Sequence, residues 1–155
     1  MLNSAEGSPG MNFIARLASY YYISKKFIAD FLAYIVQNLD LIRYDGTPRL
    51  IHGDFMPGHI FVERESGEWK IIGIIDFEFA QAYAPEYDFI KLHRAGFFDD
   101  PDLKKALIES YGPISEEAIK IHRLIRDLGF AWAVLEAGDK KLSDGVLRSI
   151  EERLK

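Results

Sequence analysis

From Asn12 to Asn38 apolar side chains recur at intervals of three and four: Phe13, Leu17, Tyr20, Tyr21, Ile28, Phe31, Leu32 and Ile35. That period predicts one long amphipathic helix with Asn12 as its N-cap, interrupted only where Ser24 occupies the stripe. After Leu50 and Ile51 the pattern changes, because Pro57 and Gly58 prevent a continuing helix. Residues 60 to 63 read as a short strand, Ser66-Gly67 as a turn, and Trp69 to Ile75 as an apolar, β-branched run. Together they predict a β-hairpin whose far end delivers Asp76. Helical periodicity then returns. Pro85 precedes a helix near 86 to 95, Asp99-Asp100-Pro101 starts one near 101 to 111, Ser115-Glu116-Glu117 opens one running to about Ala137, and a last helix starts around Ser143. The expected fold class is mostly α with a small β-hairpin, an α+β arrangement with function concentrated at the hairpin.

With 155 residues and 48% hydrophobic content, the chain can bury one core. Residues 1 to 11 read as a flexible, turn-rich lead-in around Ser4-Ala5-Glu6-Gly7-Ser8-Pro9-Gly10, and residues 12 to 155 as one domain. The formal charge of −5 leaves no basic patch for a phosphate backbone, so nucleic-acid binding is not expected, whereas a cationic small molecule would suit the balance. The chain has no cysteine, which excludes disulfides and thiolate metal sites and makes the cytoplasm the default location. Charge interrupts every apolar stretch before the ~20 residues that span a bilayer, so no membrane partner is expected.

Two acidic residues, Asp54 and Asp76, fall at loop edges beside apolar strands. Phosphoryl transfer asks a protein mainly to hold a hydroxyl, a divalent cation and phosphates in line, with one carboxylate facing the hydroxyl and another on the metal. The order His52-Gly53-Asp54-Phe55-Met56-Pro57-Gly58-His59, then Ile75-Asp76-Phe77-Glu78, then Tyr87-Asp88-Phe89-Ile90, resembles the aminoglycoside phosphotransferase and choline kinase family. The resemblance is strong over roughly residues 45 to 95 and general in the flanking helices. It implies the C-terminal lobe of a protein-kinase-like phosphotransferase, using Mg²⁺ and ATP and acting on the hydroxyl of a small molecule. Asp54 would be the catalytic carboxylate, orienting the hydroxyl more than deprotonating it, since aspartate is a weak base. Asp76 would be the metal-binding acid, with Glu78 a possible second oxygen donor. His52 and Asp88 would brace the loop.

Two departures from the family pattern stand out. His59 occupies the usual Asn position, and imidazole is a poor Mg²⁺ ligand. It shifts the metal preference, contacts a phosphate, or leaves the site incomplete, and the incomplete site leads these readings. The N-terminal nucleotide lobe is expected to be absent, because Gly7 and Gly10 lack a preceding strand and Lys25 and Lys26 fall within the predicted helix. An isolated lobe should be weak or inactive alone, and its uncovered apolar surface could seek a second copy or another partner.

Other readings remain open. The aspartates could be simple turn caps. The chain could be a non-catalytic kinase-like binding or assembly module. Lower in rank, His52, Asp54, His59 and Asp76 could hold the metal of a hydrolase, although such sites usually gather more ligands. Tyr20, Tyr21 and Tyr22 fan around a helix and suit packing, as do Trp69, Trp132 and His122 in their periodic segments.

Overall fold

The computed structural model describes residues 23 to 43 and 48 to 155. Helix α1, Lys25–Gln37, begins where Ser24 adopts an extended conformation and its hydroxyl accepts from the Phe27 N–H at 3.0 Å. The single helix expected from Asn12 to Asn38 therefore does not run through Ser24. The serine that breaks the apolar stripe is the N-cap, because its oxygen satisfies an N–H the first turn would otherwise leave unpaired. Residues 12 to 22, and the lead-in before them, lie outside the described residues. A short helix α2, Leu39–Ile42, follows.

Strand β1, Arg49–Ile51, pairs antiparallel with β4, Gln81–Tyr83. Between them lies the expected hairpin of β2, Ile60–Glu65, and β3, Glu68–Ile74. Its loop is the two residues Ser66 and Gly67 at φ 53° and 91°, the positive-φ pair whose twist matches that of the flanking strands. Phe61 opposes Gly73 while Val62 opposes Ile71, so Ile72 is an extra residue forming a bulge. The hairpin exposes apolar side chains on both faces, among them Phe61, Val62, Trp69, Ile71 and Ile72.

Where a helix was expected over 86 to 95, the chain first makes a 3-10 turn, Pro85–Phe89, and then a short helix α3, Ile90–Arg94. Helix α4, Pro101–Tyr111, starts on an Asp100 cap that accepts from the N–H groups of Asp102 and Leu103. Helix α5 is Glu116–Glu136. The last helix, α6, is Lys140–Arg153 and starts three residues before the expected Ser143, because Asp139 accepts from Leu142 N–H and caps it.

Contacts group the described residues into two compact units, residues 23–39 with 125–155, and residues 40–124. In the first, Phe27 and Phe31 are buried and stack one helical turn apart, Ile150 and Ala131 are fully enclosed, and Arg153 bonds the buried Asp127 at 2.7 Å. In the second, Phe89, Ile90, Leu92, Phe98 and Ile119 form the core, with Phe55 and Tyr87 packed against it. Every candidate site residue belongs to this second unit.

Candidate active site

The loop between β1 and β2 is held from a distance. Asp88, in the 3-10 turn, uses both carboxylate oxygens on it: the N–H of His52 donates to Oδ2 at 2.7 Å and that of Gly53 to Oδ1 at 2.8 Å. Two charge-assisted bonds to one carboxylate fix the backbone immediately before Asp54. The buried His52 ring closes a second tie. Its Nε2–H donates to the Ile75 carbonyl at 2.7 Å, and its Nδ1 accepts from the Asp54 N–H at 3.3 Å, an assignment the carbonyl and amide partners dictate. Phe77 lies 4.6 Å from the same ring, centroid to centroid. His52 thus couples the Asp54 backbone to the residue before Asp76.

Gly53 explains the middle letter of the motif. It sits at φ +81°, and a Cβ there would stand 2.2 Å from the Phe79 carbonyl oxygen. Only glycine lets the two loops approach this closely. Asp76 itself has φ +69°, a left-handed conformation that non-glycine residues seldom adopt and that tends to occur at functional sites.

The structure brings three of the candidate residues together. One ligand atom from each of Asp54, His59 and Asp76 lies within 4.8 Å of the others. His59 Nδ1 donates to the Asp54 carbonyl at 3.1 Å, which turns Nε2 toward Asp76 Oδ2 at 3.3 Å. The two anionic oxygens suit a hard divalent ion such as Mg²⁺, and the imidazole nitrogen adds a donor that Mn²⁺ or Zn²⁺ accepts more readily. Glu78 is exposed and stands outside this group of three, and Asp88 faces the loop backbone.

Lys91, on α3, was not singled out by sequence. Its Nζ lies 2.5 Å from Asp54 Oδ1 and 3.5 Å from Met56 Sδ. No motif marks it, although Asp88 touches the loop and the residue three positions on falls on the same face of the following turn.

His93 and His122 lie in the same unit, away from the group of three. Burial holds the His122 imidazole below its usual pKa, and its ring meets Tyr83 and Tyr87 edge-on. His93 is likewise lowered, first by burial and then by the neighbouring Arg123. Neither contributes to the candidate cluster, which leaves the hydrolase reading without further ligands among the described residues.

Comparison with known proteins bears on the fold and the family. No curated protein matches the chain. Among solved structures, a mutant aminoglycoside 2'-phosphotransferase-IIIa in its GDP complex superposes with a TM-score of 0.65 at 22% identity, over 92% of this chain and 50% of that one. The GDP and kanamycin complex of APH(2")-IIIa gives 0.62 at 22% identity, over 91% and 50%. The chain therefore spans about half the length of these solved chains, and the likeness establishes the kinase-like fold. A family model described as "Phosphotransferase enzyme family" matches residues 15–136, most of the sequence and all of the loops just described, so the chain belongs to the phosphotransferase enzyme family.

Proposed function

We propose that this chain carries the acceptor-orienting and metal-binding part of an ATP-dependent phosphotransferase acting on the hydroxyl of a small molecule. The observation that carries this reading is the convergence of Asp54, His59 and Asp76 within 4.8 Å, on loops tied to each other through His52 and Gly53. Asp54 accepts the acceptor hydroxyl's hydrogen bond and holds its oxygen in line, which is the main demand of a dissociative transfer. Asp76 and His59 would hold the divalent ion, with Asp54 within reach of it. When bound, such an ion neutralises the charge on the nucleotide phosphates. His52 and Asp88 supply rigidity, keeping the acids aimed without contacting substrate.

Because the chain spans about half the length of its solved neighbours, the 155-residue chain is expected to turn over weakly by itself, so binding is the sharper test. Mg²⁺-ATP and Mn²⁺-ATP titrated calorimetrically into the chain should bind, and Asp76→Ala should weaken that binding at least tenfold, an order of magnitude expected for loss of a metal ligand. Nucleotide binding that is absent, or that Asp76→Ala leaves untouched, would sink the phosphotransferase reading.

The exposed apolar hairpin favours a second reading, an assembly module that uses this surface to associate. Light scattering at micromolar concentration would then show a dimer or larger species, and a strict monomer would count against it.

A further inference from the structure

The acceptor end of the site is not simply acidic. Asp54, the carboxylate that would face an incoming hydroxyl, already has an ammonium group on it: Lys91 Nζ at 2.5 Å from Oδ1. Both side chains are largely enclosed, at 16% exposure for Asp54 and 27% for Lys91, so water screens the pair less than it would at an open surface. The lysine is also anchored. Met56 Sδ packs on Nζ at 3.5 Å, Asp88 clamps the loop one turn earlier in the same segment, and Ile90 and Leu92 on either side are buried in the core. Phe55, next to Asp54, packs against that core from the loop side. The lysine's backbone and the loop are thus held by the same packing, and the ion pair follows from their register.

The second acid does not restore a negative surface for the acceptor. Asp76 is faced by His59 and, on the phosphotransferase reading, by the cation-nucleotide complex. An acceptor approaching Asp54 therefore meets a carboxylate whose charge is matched and a fixed cation beside it. The pair carries no net charge, so the attraction that a bare Asp54 carboxylate would offer an ammonium group is lost, a change in affinity on the order of tenfold.

We propose that Lys91 is a specificity-determining residue that sets the acceptor class of this site: a hydroxyl compound without ammonium groups, such as a sugar or sugar acid, in place of a polycation. The inference rests on the phosphotransferase reading for the role of Asp54, and it reverses the preference for a cationic acceptor that the net charge of −5 suggests. Lys91 also restrains the Asp54 carboxylate, leaving the acceptor hydroxyl to approach a side chain whose orientation is already set.

Kanamycin is the probe, because one solved neighbour is its complex and it carries several ammonium groups. It is titrated at low ionic strength into the wild-type chain, Lys91→Gln and Lys91→Met, alone and combined with Asp54→Asn. Glutamine can keep a hydrogen bond to Asp54 while removing the charge, so a purely structural role for Lys91 would leave its kanamycin affinity unchanged; Met is the second variant should Gln not fold. The wild type is expected to bind kanamycin no more tightly than about 1 mM, and the Lys91 variants at least tenfold tighter, with the gain lost in the Asp54→Asn background. Sub-millimolar binding by the wild type, or equal affinity in the Lys91 variants, overturns the proposal. The same samples are titrated with Mg²⁺-ATP. Kanamycin contrast without nucleotide binding overturns the phosphotransferase reading alone, and nucleotide binding without kanamycin contrast overturns only the role of Lys91.

Discussion

The loop from His52 to His59 and the hairpin that follows it are neighbours in sequence and are stabilised in opposite ways. The hairpin is local: its ladder runs from Glu65 opposite Glu68 out to Ile60 opposite Ile74, and its turn needs only the positive φ of Ser66 and Gly67. The loop is almost entirely non-local, held by Asp88 from 35 and 36 residues away and by the Ile75 carbonyl from 23 away. Both contain a left-handed glycine, yet a Cβ on Gly67 would meet nothing within 4 Å while one on Gly53 would strike the Phe79 backbone. Enclosed polar ties fix side-chain direction on the loop, which suits the role proposed for Asp54, whereas the exposed hairpin mainly carries Asp76 to its place.

The contrast is broken most severely at Asp88. Asp88→Ala removes the acceptor of two backbone N–H groups at once and should cost about 4 kcal/mol in urea unfolding, at one to three per unsatisfied donor. Gly53→Ala comes next. The forced left-handed conformation and the 2.2 Å approach to Phe79 must both be relieved by moving the loops apart, at about 3 kcal/mol, with nucleotide binding falling alongside stability.

Acid should act on the packing around His122 and His93, outside the hairpin. His122 has a lowered pKa in the folded protein because burial disfavours its charged form, so the unfolded chain binds the proton first as pH falls. The stability it contributes is complete above the ordinary histidine value of ~6.5 and is lost below it, down to the lowered folded value, at up to about 1.4 kcal/mol per pH unit. His93, lowered in the same direction, adds to the effect. Unfolding measured between pH 5 and 8 should show this slope, and His122→Phe should flatten it; a slope unchanged in that variant would refute the assignment. The smallest change is Gly67→Ala, which meets only the backbone penalty of a left-handed alanine and should cost about 1 kcal/mol without altering nucleotide binding. Equal losses at Gly67 and Gly53 would erase the distinction between the two regions.

Much of this fold is legible in the sequence. The Ser66-Gly67 turn between two apolar runs gave the hairpin, and Asp100-Pro101 gave the start of α4, because both signals are backbone preferences of the residues themselves. The helix starts were less accurate where a polar residue had two uses. Ser24 looked like a gap in an apolar stripe and proved to be a cap, and Asp139 starts α6 ahead of Ser143 by the same means. The β1–β4 pair leaves no mark in the sequence, because three-residue strands have no usable period and their pairing spans the whole hairpin between them.

The sequence by itself determined the motif order, the family and the mostly helical class, since these depend on side-chain chemistry and on local φ, ψ preference. Only the tertiary structure decided that Asp54, His59 and Asp76 converge, that Asp88 grips the backbone of the loop, and that Lys91 stands on Asp54. Spacing along a chain carries no information about which distant side chains meet once the core around Phe89 and Ile90 has closed. The direction of a carboxylate, and the charge beside it, are set by that packing.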